Sequence, residues 1–168
     1  YTLTIDAAGG KIDGLDKIVK ELMEGEAIGS VSTPVREGYN FTGWDKTIPA
    51  TMPAEDMTIT ATWDVNSYDI TWNDGTNETT ENVEFGSELV VPADPEKEGY
   101  TFTGWADADG KTPDDYVTVP STDVEFTAQW DANEYTITFA ETGDTVIDPI
   151  TQDYDTAINA PANPEKEG

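Results

Sequence analysis

Pro34-Val35-Arg36-Glu37-Gly38-Tyr39-Asn40-Phe41-Thr42-Gly43-Trp44 returns as Pro95-Glu96-Lys97-Glu98-Gly99-Tyr100-Thr101-Phe102-Thr103-Gly104-Trp105, and its first half returns again as Pro164-Glu165-Lys166-Glu167-Gly168. A long phrase that recurs along a chain marks a repeat array in which each copy is one folding unit. Within the phrase, Pro34 and Pro95 exclude a central strand at their own positions. Glu-Gly then reads as a turn, with Gly38 and Gly99 free to take positive φ. From there the side chains alternate. Tyr39, Phe41 and Gly43 share one face, and Trp44 faces the other way unless a bulge at Gly43 re-aims it. Tyr100, Phe102, Gly104 and Trp105 make the same prediction. A bulge would bring the three aromatic residues of each copy into one core.

Two further markers frame the phrase. Tyr1-Thr2-Leu3-Thr4-Ile5 alternates apolar and polar residues as a strand does, and it recurs as Tyr68-Asp69-Ile70-Thr71-Trp72 and Tyr135-Thr136-Ile137-Thr138-Phe139, a step of 67 residues each time. Thr58-Ile59-Thr60-Ala61-Thr62-Trp63 recurs as Glu125-Phe126-Thr127-Ala128-Gln129-Trp130, at the same step. The links Asp64-Val65-Asn66 and Asp131-Ala132-Asn133 follow. The expected units are therefore 1–66, 67–133 and the N-terminal half of a third, 134–168. That half lacks the aromatic and closing strands, so residues 135–168 are expected to dock on the second unit or to borrow strands from another molecule, and its severed phrase suggests a cut from a longer array.

Inside the units the loops trade length while the markers keep register. Asp6-Ala7-Ala8-Gly9-Gly10 reads as a turn. Ile12, Leu15, Ile18, Val19, Leu22 and Met23 then recur at three- and four-residue steps, which predicts an amphipathic helix over 13–24, capped by Asp13 and ended by Gly25. The second unit has the turn Asn73-Asp74-Gly75-Thr76-Asn77 and then a shorter, strand-like stretch, 79–85. Pro-rich loops follow in both, from which Ile28 and Leu89-Val90-Val91 are expected to point inward.

The chain holds 168 residues, with 35 acidic against 8 basic side chains, a net charge of −27, and neither Cys nor His. This balance argues against nucleic acid, whose binding needs a basic face, and against anionic membrane surfaces. It favours solubility and repulsion between neighbouring copies. Without Cys or His there is no disulfide, no Ser/His/Asp or Cys/His triad and no histidine- or thiolate-ligated zinc. No apolar run approaches the roughly 20 residues of a membrane-spanning helix.

The strand-start Tyr-Thr-x-Thr-Ile, the Gly-Gly turn, Gly25-Glu26-Ala27-Ile28-Gly29 ahead of a proline, the Arg/Lys-Glu-Gly-Tyr-x-Phe-x-Gly-Trp phrase and the closing Thr-Ala-x-Trp resemble the Listeria–Bacteroides repeat, or internalin B-repeat, along the whole chain. The resemblance implies an α+β or mainly β architecture: small β-grasp-like, ubiquitin-like modules in an elongated tandem array. It also implies secreted or cell-wall-attached bacterial surface proteins, in which such repeats stand between an adhesive domain and an anchor, and no catalytic residues. Residues 11–24 match least well.

Four tryptophans recur at equivalent places, Trp44, Trp63, Trp105 and Trp130. A unit of this size has little surface to bury and needs large side chains, so a core role is expected, as it is for Trp72. Stacking on sugars is the rival reading; buried Trp105 and Tyr100 would defeat it. Asp107, Asp109 and Asp114 form the only candidate Ca²⁺ cluster, but the loop fails the EF-hand spacing, and an acidic turn is the expected reading. No cofactor and no enzymatic role are expected. The expected function is that of a spacer or stalk in an adhesin-like surface protein. Its partners would be the neighbouring repeats and, in the alternative reading, a host or self surface protein paired to an exposed sheet edge.

Overall fold

The turn phrase leads into a strand in each full repeat, and that strand lies at one edge of a four-stranded sheet. The computed structural model describes residues 1–140 and 146–164. The third start of the phrase, from Glu165, lies outside the described residues. In the first repeat the strands are β1 (Thr2–Asp6), β2 (Lys17–Glu21), β3 (Tyr39–Trp44) and β4 (Met57–Val65), in the spatial order β2-β1-β4-β3. β1 pairs antiparallel with β2 and parallel with β4, while β3 pairs antiparallel with β4. In the second repeat β5 (Ser67–Asn73), β6 (Glu78–Glu84), β7 (Tyr100–Ala106) and β8 (Val124–Ala132) take the same order, β6-β5-β8-β7. β9 (Glu134–Ile137) and β10 (Ile150–Asp153) form an antiparallel pair.

Alternation along β1 and β4 buries one face. Leu3, Ile5 and Ile59 are fully buried there, and Ala7, Ile12, Ile28 and Met52 close over them, with Ile18, Leu22, Val31 and Trp44 packed around. Coil covers the sheet, held by backbone bonds: Gly25 N–H donates to the Met52 carbonyl at 2.8 Å, and Met52 N–H to the Glu26 carbonyl at 2.8 Å. The second repeat uses the same clasp, from Gly86 to Val119 and from Val119 to Ser87, at 3.0 and 2.9 Å.

The predicted helix over 13–24 is a strand and its approach. Asp13 and Gly14 take positive φ, 50° and 84°, and Ile12 and Leu15 bond to each other across them, at 2.8 and 2.9 Å. An Asp-Gly pair in the left-handed region makes a tight turn and cannot open a right-handed helix. Beyond it Ile18 faces the core, while Leu15, Val19 and Met23 are exposed. The apolar residues met a helical template by spacing alone. Among the described residues the only helical element is the 3-10 turn Pro113–Asp115, so the architecture is mainly β. Two smaller expectations also fail. Val90 and Val91 are exposed and only Leu89 of that trio is half-buried. The three-residue links shrink to single residues, Asn66 and Asn133, because β4 and β8 run on through Val65 and Ala132.

Packing divides the chain into two units that cut across the second repeat. One comprises Tyr1–Thr71, Thr80–Leu89 and Tyr116–Val124; the other comprises Trp72–Thr79, Val90–Asp115 and the chain from Glu125 onward. In the second unit Trp72 stacks on Phe126, with ring centroids 4.7 Å apart, and Trp105 meets Trp72 edge-on at 5.2 Å.

Candidate functional site: the glycine seat between repeats

The Arg36-Glu37-Gly38-Tyr39 turn closes through Tyr39 N–H to the Arg36 carbonyl, 3.1 Å, with Gly38 at φ 73°. Gly38 is buried. A Cβ on it would overlap the ring of Phe85, the residue just after β6. Phe85 also meets the Tyr39 and Tyr68 rings edge-on, at 5.9 and 6.5 Å. The backbone of the single link residue ties the seat together. Asn66 N–H donates to the Gly38 carbonyl at 2.9 Å, and the Asn66 carbonyl accepts from Phe85 N–H at 2.8 Å. The Ser121 hydroxyl adds a 2.7 Å bond to the Glu37 carboxylate, and the Arg36 guanidinium lies 3.7 Å above the Tyr39 ring.

The arrangement is built a second time. Gly99, φ 77°, is covered by the Tyr154 ring, with no room for a Cβ. Asn133 N–H donates to the Gly99 carbonyl and Tyr154 N–H to the Asn133 carbonyl, both at 2.8 Å. Tyr100 meets Tyr154 edge-on at 5.6 Å, and Lys97 lies 4.1 Å over the Tyr100 ring. The Glu98 carboxylate, burial and the neighbouring Asp155 and tyrosines push the Tyr154 phenol above its ordinary value. Through Tyr154 and Asn133 the described part of the third, partial repeat meets the turn phrase of the second.

The bulge is present in both phrases. The ladder slips between Phe41 and Gly43 and between Phe102 and Gly104, with Gly43 at φ 142° and Gly104 at 140°. The slip turns Trp44 and Trp105 onto the same side as Phe41 and Phe102, which they meet edge-on at 5.2 and 5.5 Å. Tyr39 and Tyr100 do not join that cluster. They face the neighbouring repeat; Trp44 packs on the core and Trp105 is buried, while Phe41 and Phe102 are half-buried. Trp63 and Trp130 flank Phe41 and Phe102 at 5.6 and 5.5 Å and are only half-buried.

Trp105 is 6% exposed and unavailable to a sugar, while Tyr100 is half-buried under Lys97. Asp107 closes a turn with its own backbone, accepting from Asp109 N–H at 2.9 Å and Lys111 N–H at 2.8 Å. Asp115 caps Thr112 in the same way, at 2.8 Å. Asp114 lies apart from the Asp107 turn, in the 3-10 element Pro113–Asp115, and among the described residues no group of three acidic side chains is placed to hold a metal ion.

Gly38, Tyr39, Gly99 and Tyr100 were legible as a motif. Phe85, Tyr154, Asn66 and Asn133 were not assigned to it. The link asparagines offered a signal, since they recur at the 67-residue step. Phe85 and Tyr154 do not, being 69 apart, because the connection before Tyr154 differs in length.

A family model described as the Listeria-Bacteroides repeat domain matches residues 1–65, 67–132 and 135–168. A protein named internalin H, from Listeria monocytogenes serovar 1/2a, is 36% identical over 149 residues, covering 80% of this chain and 26% of its own length. A protein named putative membrane protein, from Evansella cellulosilytica, is 32% identical over 181 residues, covering all of this chain and 26% of its own. A putative Gly-rich membrane protein of the same organism is 31% identical over 151 residues, covering 81% and 18%. The chain therefore spans about a quarter or less of each relative's length.

Proposed function

The chain belongs to the Listeria-Bacteroides repeat family, and from that premise we propose that it is a non-catalytic spacer, a stalk segment carried on the outside of a bacterial cell by an adhesin-like surface protein. The observation that supports this reading most is the duplicated seat. Phe85 on Gly38 and Tyr154 on Gly99, each with its link asparagine bonded on both sides, couple successive repeats through one residue of free chain. A joint of this kind restricts bending between neighbours, and each added repeat extends the array by one step. The net charge of −27 keeps such a segment solvated and resists collapse of one copy on another. The relatives' names, internalin H and putative membrane protein, support the surface setting.

Each repeat is one module, bounded at 66 and 133. Its β2-β1-β4-β3 sheet, with β1 parallel to β4, is taken as a β-grasp-like sheet covered by coil in place of a helix. Small-angle scattering of residues 1–168 tests the spacer reading. An extended particle whose length grows by a constant increment per added repeat is expected; a compact particle overturns it.

A further inference from the structure

The same aromatic shelf is covered in one repeat and open in the other. In the first repeat the connection between β1 and β2 is ten residues long, 7–16, and folds back over Trp63. The Trp63 indole N–H donates to the Ala7 carbonyl at 3.0 Å, and Arg36 Nη1 donates to the Ala8 carbonyl at 3.2 Å. Lys11 and Val35 exchange both backbone bonds, at 2.7 and 2.9 Å. Gly10 lies so close that a Cβ would meet Trp63 Cζ2 at 2.6 Å and the Val35 carbonyl at 2.7 Å. A tight turn of small residues fills the place: Gly10 N–H donates to the Ala7 carbonyl at 3.0 Å, Ala8 and Gly9 take positive φ, 48° and 88°, and Lys11 follows.

In the second repeat the matching connection is four residues long, 74–77. It closes on itself, the Asp74 carboxylate accepting from Thr76 and Asn77 N–H at 2.7 and 2.6 Å. What it leaves is a groove of about 620 Å³, lined by Glu96, Lys97, Tyr100, Phe102 and Trp130 among others and by no residue of that turn. Glu96 stands where Val35 stands, Lys97 where Arg36 does, and Trp130 where Trp63 does. Among the described residues nothing pairs with the Glu96 backbone or accepts from the Trp130 indole.

We propose that this groove docks a tight turn of glycine and alanine residues from a partner polypeptide, the residue after the turn pairing with the Glu96 backbone as Lys11 pairs with Val35. The partner's carbonyls would take the Trp130 indole N–H and the Lys97 ammonium. Only small residues allow the backbone so near an indole face. Glu96 and Glu98 in the lining favour a segment that carries a basic residue, as Lys11 follows the internal turn. The groove continues into the seat, because Tyr100 lines it and also packs on Tyr154. A second copy of this chain is the poorer occupant, since its own Ala7–Lys11 is already engaged.

The capped pentapeptide Ala-Ala-Gly-Gly-Lys, titrated into ¹⁵N-labelled residues 1–168, is the test. Saturable shifts of the Trp130 indole and the Glu96 amide are expected, with the Trp63 indole unmoved. Trp130→Phe should weaken binding roughly three- to tenfold, the loss of one hydrogen bond. Replacing residues 74–77 by the ten residues 7–16 should fill the groove and abolish the shifts. Absent or unsaturable shifts, equal movement of Trp63, or binding that survives the graft would each overturn the proposal. So would a cello-oligosaccharide that shifts Trp130 where the peptide does not, or concentration-dependent self-association that shifts Trp130 with no peptide added.

Discussion

At the scale of single residues, two glycines carry the junctions. Gly38 sits at φ 73° under the Phe85 ring. Alanine there would meet left-handed strain and displace an aromatic side chain, and Gly38→Ala should cost roughly 2–4 kcal/mol. Phe85→Ala, which truncates a half-buried ring, should cost about 2 kcal/mol. The double variant should be less destabilised than the sum by more than about 1 kcal/mol, because removing the ring vacates the space the new methyl needs. Urea unfolding of the four proteins measures this, and strict additivity would mean that the two residues do not touch in solution. The indoles make a second prediction. Trp63 is bonded to Ala7 and Trp130 sits over the open groove. Trp63→Phe should therefore lower stability by about 1 kcal/mol, and Trp130→Phe by distinctly less. Equal losses in calorimetry would contradict the different environments of the two indoles.

At the scale of elements, what distinguishes the repeats is the length of the first connection. Ten residues can return to the aromatic shelf, and four can only reverse the chain. The short turn depends on Asp74, whose carboxyl is held below its ordinary value of 3.8 by hydrogen bonds from Asn77, backbone and side chain, and from the Thr76 backbone. The folded carboxyl is the stronger acid, so its contribution is present above about pH 4 and is lost as pH falls through the lower folded value. Asp74→Asn should flatten that part of the acid-unfolding curve while leaving stability at pH 7 little altered, since asparagine also accepts at this turn position. An unchanged acid limb would show that Asp74 does not contribute there. Strand identity was readable for β1, β4, β5 and β8, where alternation and β-branched residues agree. It failed at β2, where apolar residues at helical steps concealed an Asp-Gly turn. Periodicity counts side chains, whereas the positive φ of Asp13 and Gly14 is a backbone event.

At the scale of the whole molecule, charge opposes packing. With 35 acidic and 8 basic side chains, repulsion extends across the roughly 8–10 Å Debye length of moderate salt. The Lys11–Asp16 salt bridge, at 2.7 Å, has both side chains exposed, where such a pair contributes little. Raising NaCl from about 0.05 to 0.5 M should therefore raise the unfolding midpoint by a few degrees, through relief of self-repulsion. A midpoint that falls with salt would point to stabilising ion pairs.

The amino-acid sequence by itself determined the repeat, its 67-residue step, the strands that open and close each unit and the bulge at Gly43 and Gly104. These are local or periodic properties, written in glycines, prolines and alternation. Only the tertiary structure decided that Tyr39 and Tyr100 leave the core for a neighbouring repeat, that Phe85 and Tyr154 cover the two turn glycines, and that one aromatic shelf is closed while its copy is open. Each depends on which chain segment returns to a given face. That is set by the reach of a loop in space, and two loops of different length shift their contact residues out of the repeat's register, where a comparison of positions does not find them.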